Sequence, residues 1–201
     1  MQNRAVSSMI AAMTLVAVHA ALAATPGVAA PAFTITDTAG KAVTLADYRG
    51  KYVVLEWTNP ECPFVRKHYD SGNMQGLQKE WGAKEVVWLA VNSTNQSHSE
   101  YKSPAEMGGW MRAQGAAPAA TLLDATSATG RAYAAKTTPH MFVVDPAGKI
   151  VYAGAIDDKR SANPADAKTA NNYVRAALTE ALAGKPVSIA STTPYGCSVK
   201  Y

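Results

Sequence analysis

The stretch Tyr52-Val53-Val54-Leu55-Glu56-Trp57-Thr58-Asn59-Pro60-Glu61-Cys62-Pro63 decides the fold. Its first half is a short, mostly apolar run without polar alternation, which suits a central strand buried on both faces. Pro63 favours the first position of a helix, where the N–H it lacks would have no partner anyway, so Cys62 falls at the N-cap. A cysteine there faces unpaired N–H groups and the positive end of the helix dipole, both of which favour negative charge. Thiolate is the reactive form, so Cys62 reads as a nucleophile rather than an inert apolar filler. Arg66 and Lys67, one turn on, act in the same direction and Glu61 acts against them; these three are the thiolate-tuning candidates.

Outward from this stretch the pattern alternates between strand and helix. Residues 63–81 are helical in pattern but interrupted at Gly72 and Gly76, which predicts a kink or break. Upstream, residues 33–36 and 42–45 flank the turn Asp37-Thr38-Ala39-Gly40 as a hairpin. Downstream come a second buried strand at 85–91, a helix opened by the capping box Ser103-Pro104-Ala105-Glu106, and a strand at 121–123. A short helix at 126–135 precedes a second hairpin, 141–144 with 150–153. A last helix at 171–182 carries Val174, Ala177, Leu178 and Ala181 on one face and is closed by Gly184 and Pro186. The order predicts an α/β fold: a central mixed β-sheet with helices on both faces and an N-terminal β-hairpin extension.

The N-terminus predicts export. Arg4 is followed by an uncharged apolar stretch that ends in Ala21-Leu22-Ala23, with the small residues at −3 and −1 that a signal peptidase reads. A membrane anchor would need a longer run than this one, which His19 interrupts, so no stable span is expected after cleavage near Ala23/Ala24. The expected organisation is a signal peptide at 1–23, a Pro/Ala-rich disordered leader at 24–32, and one domain at 33–201. The net charge of +4 comes from scattered Lys and Arg rather than a stripe, so nucleic acid is not an expected partner. Cys62 and Cys197 are the two cysteines, too few for a disulfide scaffold, in a compartment where disulfides persist. His68 and His98 read as surface residues, and Trp57, Trp81, Trp88 and Trp110 as core and rim.

Three motifs in order carry a family resemblance: the Cys62 segment, Thr138-Pro139-His140-Met141-Phe142-Val143-Val144-Asp145, and the ending Gly196-Cys197-Ser198-Val199-Lys200. Over residues 33–201 the chain resembles the redoxin, peroxiredoxin-like (AhpC/TSA-like) branch of the thioredoxin superfamily. The resemblance implies a thioredoxin-like fold, Cys62 as catalytic thiol, and Pro139 as a cis-proline lying against it. Thr138, Pro139 and Pro63 are the substrate-binding candidates on that basis.

Departures from better-known relatives shape the expected activity. Thioredoxins carry a second cysteine three residues after the first, where this chain has Val65, so Cys197 is the candidate resolving cysteine. Its segment, 192–201, contains Pro194 and Gly196, which suit a flexible approach; a structural disulfide is the alternative role. Peroxiredoxins hold the peroxide with a Thr or Ser and an Arg, at positions that here are Asn59 and Pro139. A thiol–disulfide oxidoreductase is therefore the leading expectation. A thiol peroxidase, with Arg66 or Arg131 as substitute, is the alternative. A copper(I) site built from Cys62, His140, Met141 and Cys197, or a redox-inactive binding module, stands behind both. No cofactor and no resident metal are assigned. The implied partners are protein thiols and disulfides or small peroxides, with a periplasmic dithiol reductant, and the implied location is periplasmic or secreted.

Overall fold

The computed structural model describes residues 24–201; the expected signal peptide at 1–23 lies outside the described residues. In chain order the elements are β1 (Thr34–Thr36), β2 (Ala42–Thr44), β3 (Val53–Trp57), α1 (Pro63–Asp70), α2 (Asn73–Gly82), β4 (Val87–Asn92) and α3 (Pro104–Ala113). They continue with β5 (Ala120–Leu123), α4 (Ala128–Ala132), β6 (Thr137–Thr138), β7 (His140–Val144), β8 (Ile150–Gly154), α5 (Tyr173–Leu182) and β9 (Cys197–Ser198). The central sheet runs β5-β4-β3-β7-β8, parallel on one side of β3 and antiparallel on the other.

Every residue of β3 is buried, because its edges are taken by β4 and β7 and both of its faces are covered. Val54 joins a core with Val65 and Tyr69 of α1, Leu77 and Trp81 of α2, Met107 of α3 and Leu178 of α5. Val53, Leu55 and Trp57 point the other way, into a core closed by Ile35 and Val43 of the hairpin and by Tyr133 and Ala135 after α4. Among the described residues, α1, α2, α3 and α5 lie on one face and the short α4 on the other, with the β1–β2 hairpin completing that side. Each large apolar side chain buried this way contributes about 1.5–3 kcal/mol.

The long helical segment breaks at Gly72, whose φ of +74° ends α1, while Gly76 stays inside α2. The capping box forms as expected, with Ser103 accepting from the Glu106 N–H and Glu106 accepting from the Ser103 N–H. Residues 24–32, expected as a disordered leader, are instead held along the β7–β8 hairpin. Gly27 N–H donates to Ile150 O at 2.8 Å, Ala30 N–H to Gly148 O at 2.9 Å, and the Tyr133 hydroxyl to Pro31 O at 2.8 Å. Composition misleads here because backbone pairing, available to almost any sequence, is what holds the segment.

The tail is also not the flexible arm expected of Pro194 and Gly196. Residues 190–192 line the outer edge of β8, with Ala153 N–H donating to Ala190 O and Thr192 N–H to Ala153 O. The chain then forms β9 antiparallel to β6, with Thr138 opposite Cys197 and Thr137 opposite Ser198. Beyond it, Val199 N–H donates to Lys136 O and Asn95 N–H to Lys200 O, so the tail is fastened on both sides of Cys197.

Candidate redox site

The turn between β3 and α1 places Cys62. Cys62 N–H donates to Asn59 O, the Asn59 side chain accepts from Glu61 N–H at 2.8 Å and donates to Glu100 at 2.8 Å, and Pro63 opens the helix. Cys62 is the N-cap, as the sequence predicts, yet its sulfur makes no bond to the helix N–H groups. It donates instead to Thr138 O at 2.9 Å. The peptide bond between Thr138 and Pro139 is cis. Cys62 is 1% exposed, with the β6–β9 ladder lying over it.

Cys197 packs against the same apolar core as Cys62 and lies within hydrogen-bonding reach of it. Burial first, and then the neighbouring Cys62 sulfur, push its thiol up to about 12. No disulfide joins the two cysteines in this structure. Gly196, at φ +137°, carries the tail across Thr138, where a Cβ would overlap the Thr138 carbonyl oxygen that receives the Cys62 thiol. Cys62, Thr138, Pro139 and Cys197 are thus brought together, with Pro63 exposed at the rim.

The tuning residues are arranged differently from expectation. Arg66 donates to Pro60 O at 2.7 Å and pairs with Glu61 at 3.1 Å, and Glu61 also pairs with Lys102 at 2.8 Å, so these charges neutralise one another at the surface. Lys67 is fully buried and turned away from the sulfur, pairing with Asp157 at 3.3 Å and donating to Lys159 O at 2.6 Å and to the Tyr195 hydroxyl at 3.2 Å. Arg131 stacks on the Tyr201 ring, 4.6 Å from its centroid, and so does not stand in for a peroxide-binding arginine.

His68, read as a surface residue, is fully buried beside Lys67. Burial, and then the Lys67 charge, push its imidazole down to about 3, so its approach to Asp157 is a neutral contact rather than an ion pair. Its Nδ1 lies 2.9 Å from the Asn73 amide and its Nε2 3.4 Å from the Tyr195 hydroxyl. The Tyr195 hydroxyl donates to Asp157. His140 and Met141 alternate across β7. Met141 faces the Cys62 core, whereas His140 accepts from Lys136 N–H at 3.2 Å and packs on Phe142 at 4.4 Å, which separates the two as copper ligands. No cluster of three or more His, Cys, Asp or Glu suited to a metal occurs among the described residues.

A buried acid completes the surroundings and was missed from sequence. Glu56 accepts from the Tyr69 hydroxyl at 2.8 Å, the Trp88 indole at 2.7 Å and the Gln78 amide at 3.3 Å. Burial raises it to about 7 against the downward pull of these donors. A charged residue inside a strand with no exposed face was the signal that could have found it. Asp157 and Tyr195 gave no comparable signal, since only the fold brings them to Lys67.

A sheet of this order, with a cysteine opening α1 and a cis-proline against it, defines a thioredoxin-like redoxin. Residues 26–153 match the AhpC/TSA family. An uncharacterized conserved protein from Geobacillus kaustophilus superposes with a TM-score of 0.78, at 30% identity over 89% of this chain and 93% of that one. A hypothetical protein from Sinorhizobium meliloti gives 0.76 at 25% identity over 88% and 94%. The thioredoxin domain of a thiol-disulfide oxidoreductase from Bacteroides vulgatus gives 0.51 at 25% identity over 64% and 86%. No curated protein sequence matches significantly. The chain belongs to the AhpC/TSA family, in the redoxin branch of the thioredoxin superfamily, and its Cys197 tail lies beyond the matched residues.

Proposed function

We propose that the chain is an exported thiol–disulfide oxidoreductase in which Cys62 is the nucleophile and Cys197 the resolving cysteine. The observation that carries this reading is the pairing of Thr138 with Cys197 at the carbonyl that holds the Cys62 thiol. In the reducing direction the Cys62 thiolate attacks one sulfur of a protein disulfide. That bond breaks, the other sulfur leaves as a thiolate and takes a proton, and the substrate is joined to Cys62. Deprotonated Cys197 then attacks the Cys62 sulfur, forming the Cys62–Cys197 bond and releasing the second substrate thiol. Two electrons pass to the substrate, and a periplasmic dithiol reductant returns them to the protein. Burial first, and then the Cys62 sulfur, hold the Cys197 thiol protonated in the resting chain, which leaves Cys62 to attack first. Thr138, Pro139 and Pro63 would face the substrate once β9 lifts. Export rests on the signal-peptide pattern, and the mature chain is expected to begin at Ala24, which intact-mass measurement checks.

Non-reducing peptide mapping with a glutathione titration tests the chemistry. A Cys62–Cys197 bond near thioredoxin-like potentials of about −270 mV is expected, whereas a bond resisting reduction below about −300 mV would mark a structural disulfide. Membership in the AhpC/TSA family favours thiol peroxidase as the second reading. Against it, Asn59 is engaged with Glu61 and Glu100, and Pro139 stands where an arginine would hold the peroxide. Slow peroxide consumption is expected; rapid turnover would replace the first reading with the second.

A further inference from the structure

We infer that Tyr195 is a positioning residue: seated on the buried Lys67–Asp157 pair, it sets where the tail crosses the site and so holds Cys197 against Cys62. The inference rests on the oxidoreductase reading for the use made of Cys197, and goes beyond it in saying what places that cysteine.

Lys67 belongs to α1, the helix that Cys62 caps, so anchor and nucleophile share one rigid element. Two residues separate Tyr195 from Cys197, with the bend at Gly196 between them, so a tail hooked at Lys67 is carried directly on to Thr138, whose carbonyl accepts from Cys62 at the start of the same helix.

The hook is specific in chemistry. The Tyr195 hydroxyl donates to Asp157, accepts from the Lys67 amine at 3.2 Å, and lies 3.4 Å from His68 Nε2, all among side chains 0–5% exposed. The ring packs edge-on against Phe64, centroids 5.9 Å apart. Apolar residues of the same volume would bury the tail at least as well, because an ion pair in this setting carries a large desolvation cost. What a charged, directional seat adds is register: a tail shifted by one residue would leave Lys67 and Asp157 short of a partner. Gly196, lacking a Cβ, then lets the chain pass the Thr138 carbonyl and reach Cys197.

Tyr195→Phe keeps the ring and removes the hydroxyl. Expected are an equilibrium constant for the Cys62–Cys197 bond against glutathione lowered by about tenfold, and several-fold faster alkylation of Cys197 in the C62S background. A residue serving only the stability of the fold would lower the unfolding midpoint and leave both readouts unchanged, and that result overturns the inference. If the native chain never forms the bond but Cys197 is alkylated faster in Y195F/C62S, the resolving role of Cys197 fails while the placement by Tyr195 stands. Should Y195F not fold, the C62S protein with Tyr195 intact decides. Its Cys197 is expected to react at least about tenfold more slowly folded than in urea, and equal rates would overturn the placement.

Discussion

The β1–β2 hairpin and the β6–β9 ladder are both two-stranded antiparallel additions to the same five-stranded sheet, and they are fastened by different forces. The hairpin inserts Ile35, Val43 and, just after it, Leu45 into the core beneath β3. The ladder carries the half-buried Cys197 and is held by hydroxyls, an ion pair and backbone bonds: Tyr195 on Lys67 and Asp157, Tyr201 on Ala135 O at 2.6 Å, and Lys200 on Glu100 at 3.4 Å. Water can replace polar partners on release, whereas nothing in water compensates exposed apolar surface. The hairpin is thus held chiefly by apolar burial, and the ladder largely by polar groups beside the buried Tyr195 ring, which makes the ladder the easier of the two to release.

The sharpest way to break this contrast is at Gly196. An added Cβ would meet the Thr138 carbonyl at a φ that side chains rarely adopt. Gly196→Ala in a C197S background should therefore raise the alkylation rate of Cys62 by at least about tenfold, while the urea midpoint moves little. Equal alkylation rates with and without the substitution would show that the ladder does not cover the thiol.

Titration separates the core from the ladder as well. Glu56 is held protonated up to about 7, above its ordinary 4.5. Its contribution to stability is complete below pH 4.5 and is lost as pH rises through about 7, on the order of 3 kcal/mol. His140 and His68, pushed down by burial to about 4 and about 3, have the opposite sign. Their contributions are complete above pH 6.5 and are lost as pH falls through 4 and then 3. Between pH 4.5 and 6.5 the two histidines outweigh the one glutamate, so the native chain gains stability with rising pH and Glu56 about halves the slope. Glu56→Gln should leave the histidine trend alone, so that the urea midpoint rises about twice as steeply with pH across that window. An unchanged slope would contradict the assignment to Glu56.

On the hairpin side, Val43→Ala should lower global stability by about 2–3 kcal/mol with no change in cysteine alkylation, the converse of the Gly196 result. The smallest effect belongs to the surface pair of Lys102 with Glu61. Lys102→Ala should change the unfolding midpoint by less than about 1 kcal/mol, since solvent screens both partners.

The same contrast explains what the sequence disclosed. The β3 run, the N-cap at Cys62 and the capping box at Ser103 depend on neighbours within a few residues, so local pattern locates them. β9 is two residues long and exists only because Gly196 brings it to Thr138, a pairing with no local signature. His68 was misread by type, since polar side chains on a helix are usually solvated, and Lys67 was read as acting on Cys62 rather than as a buried partner of Asp157. Here Asp157 and Tyr195, far along the chain, supply the partners that make burial tolerable. The segment at 24–32 was misread by composition for the related reason that its fastening is backbone to backbone.

The run of residues 190–192 along β8 bears on colloidal behaviour as well as catalysis. β8 is the last strand of the central sheet, and a bare edge of that kind offers a row of N–H and C=O groups to any other extended chain. With the tail in place those groups at Ala153 are already taken. A chain that had lost its tail to a protease would carry an unguarded edge next to an uncovered thiol, and so would be open to two routes of self-association, strand pairing and intermolecular disulfide formation.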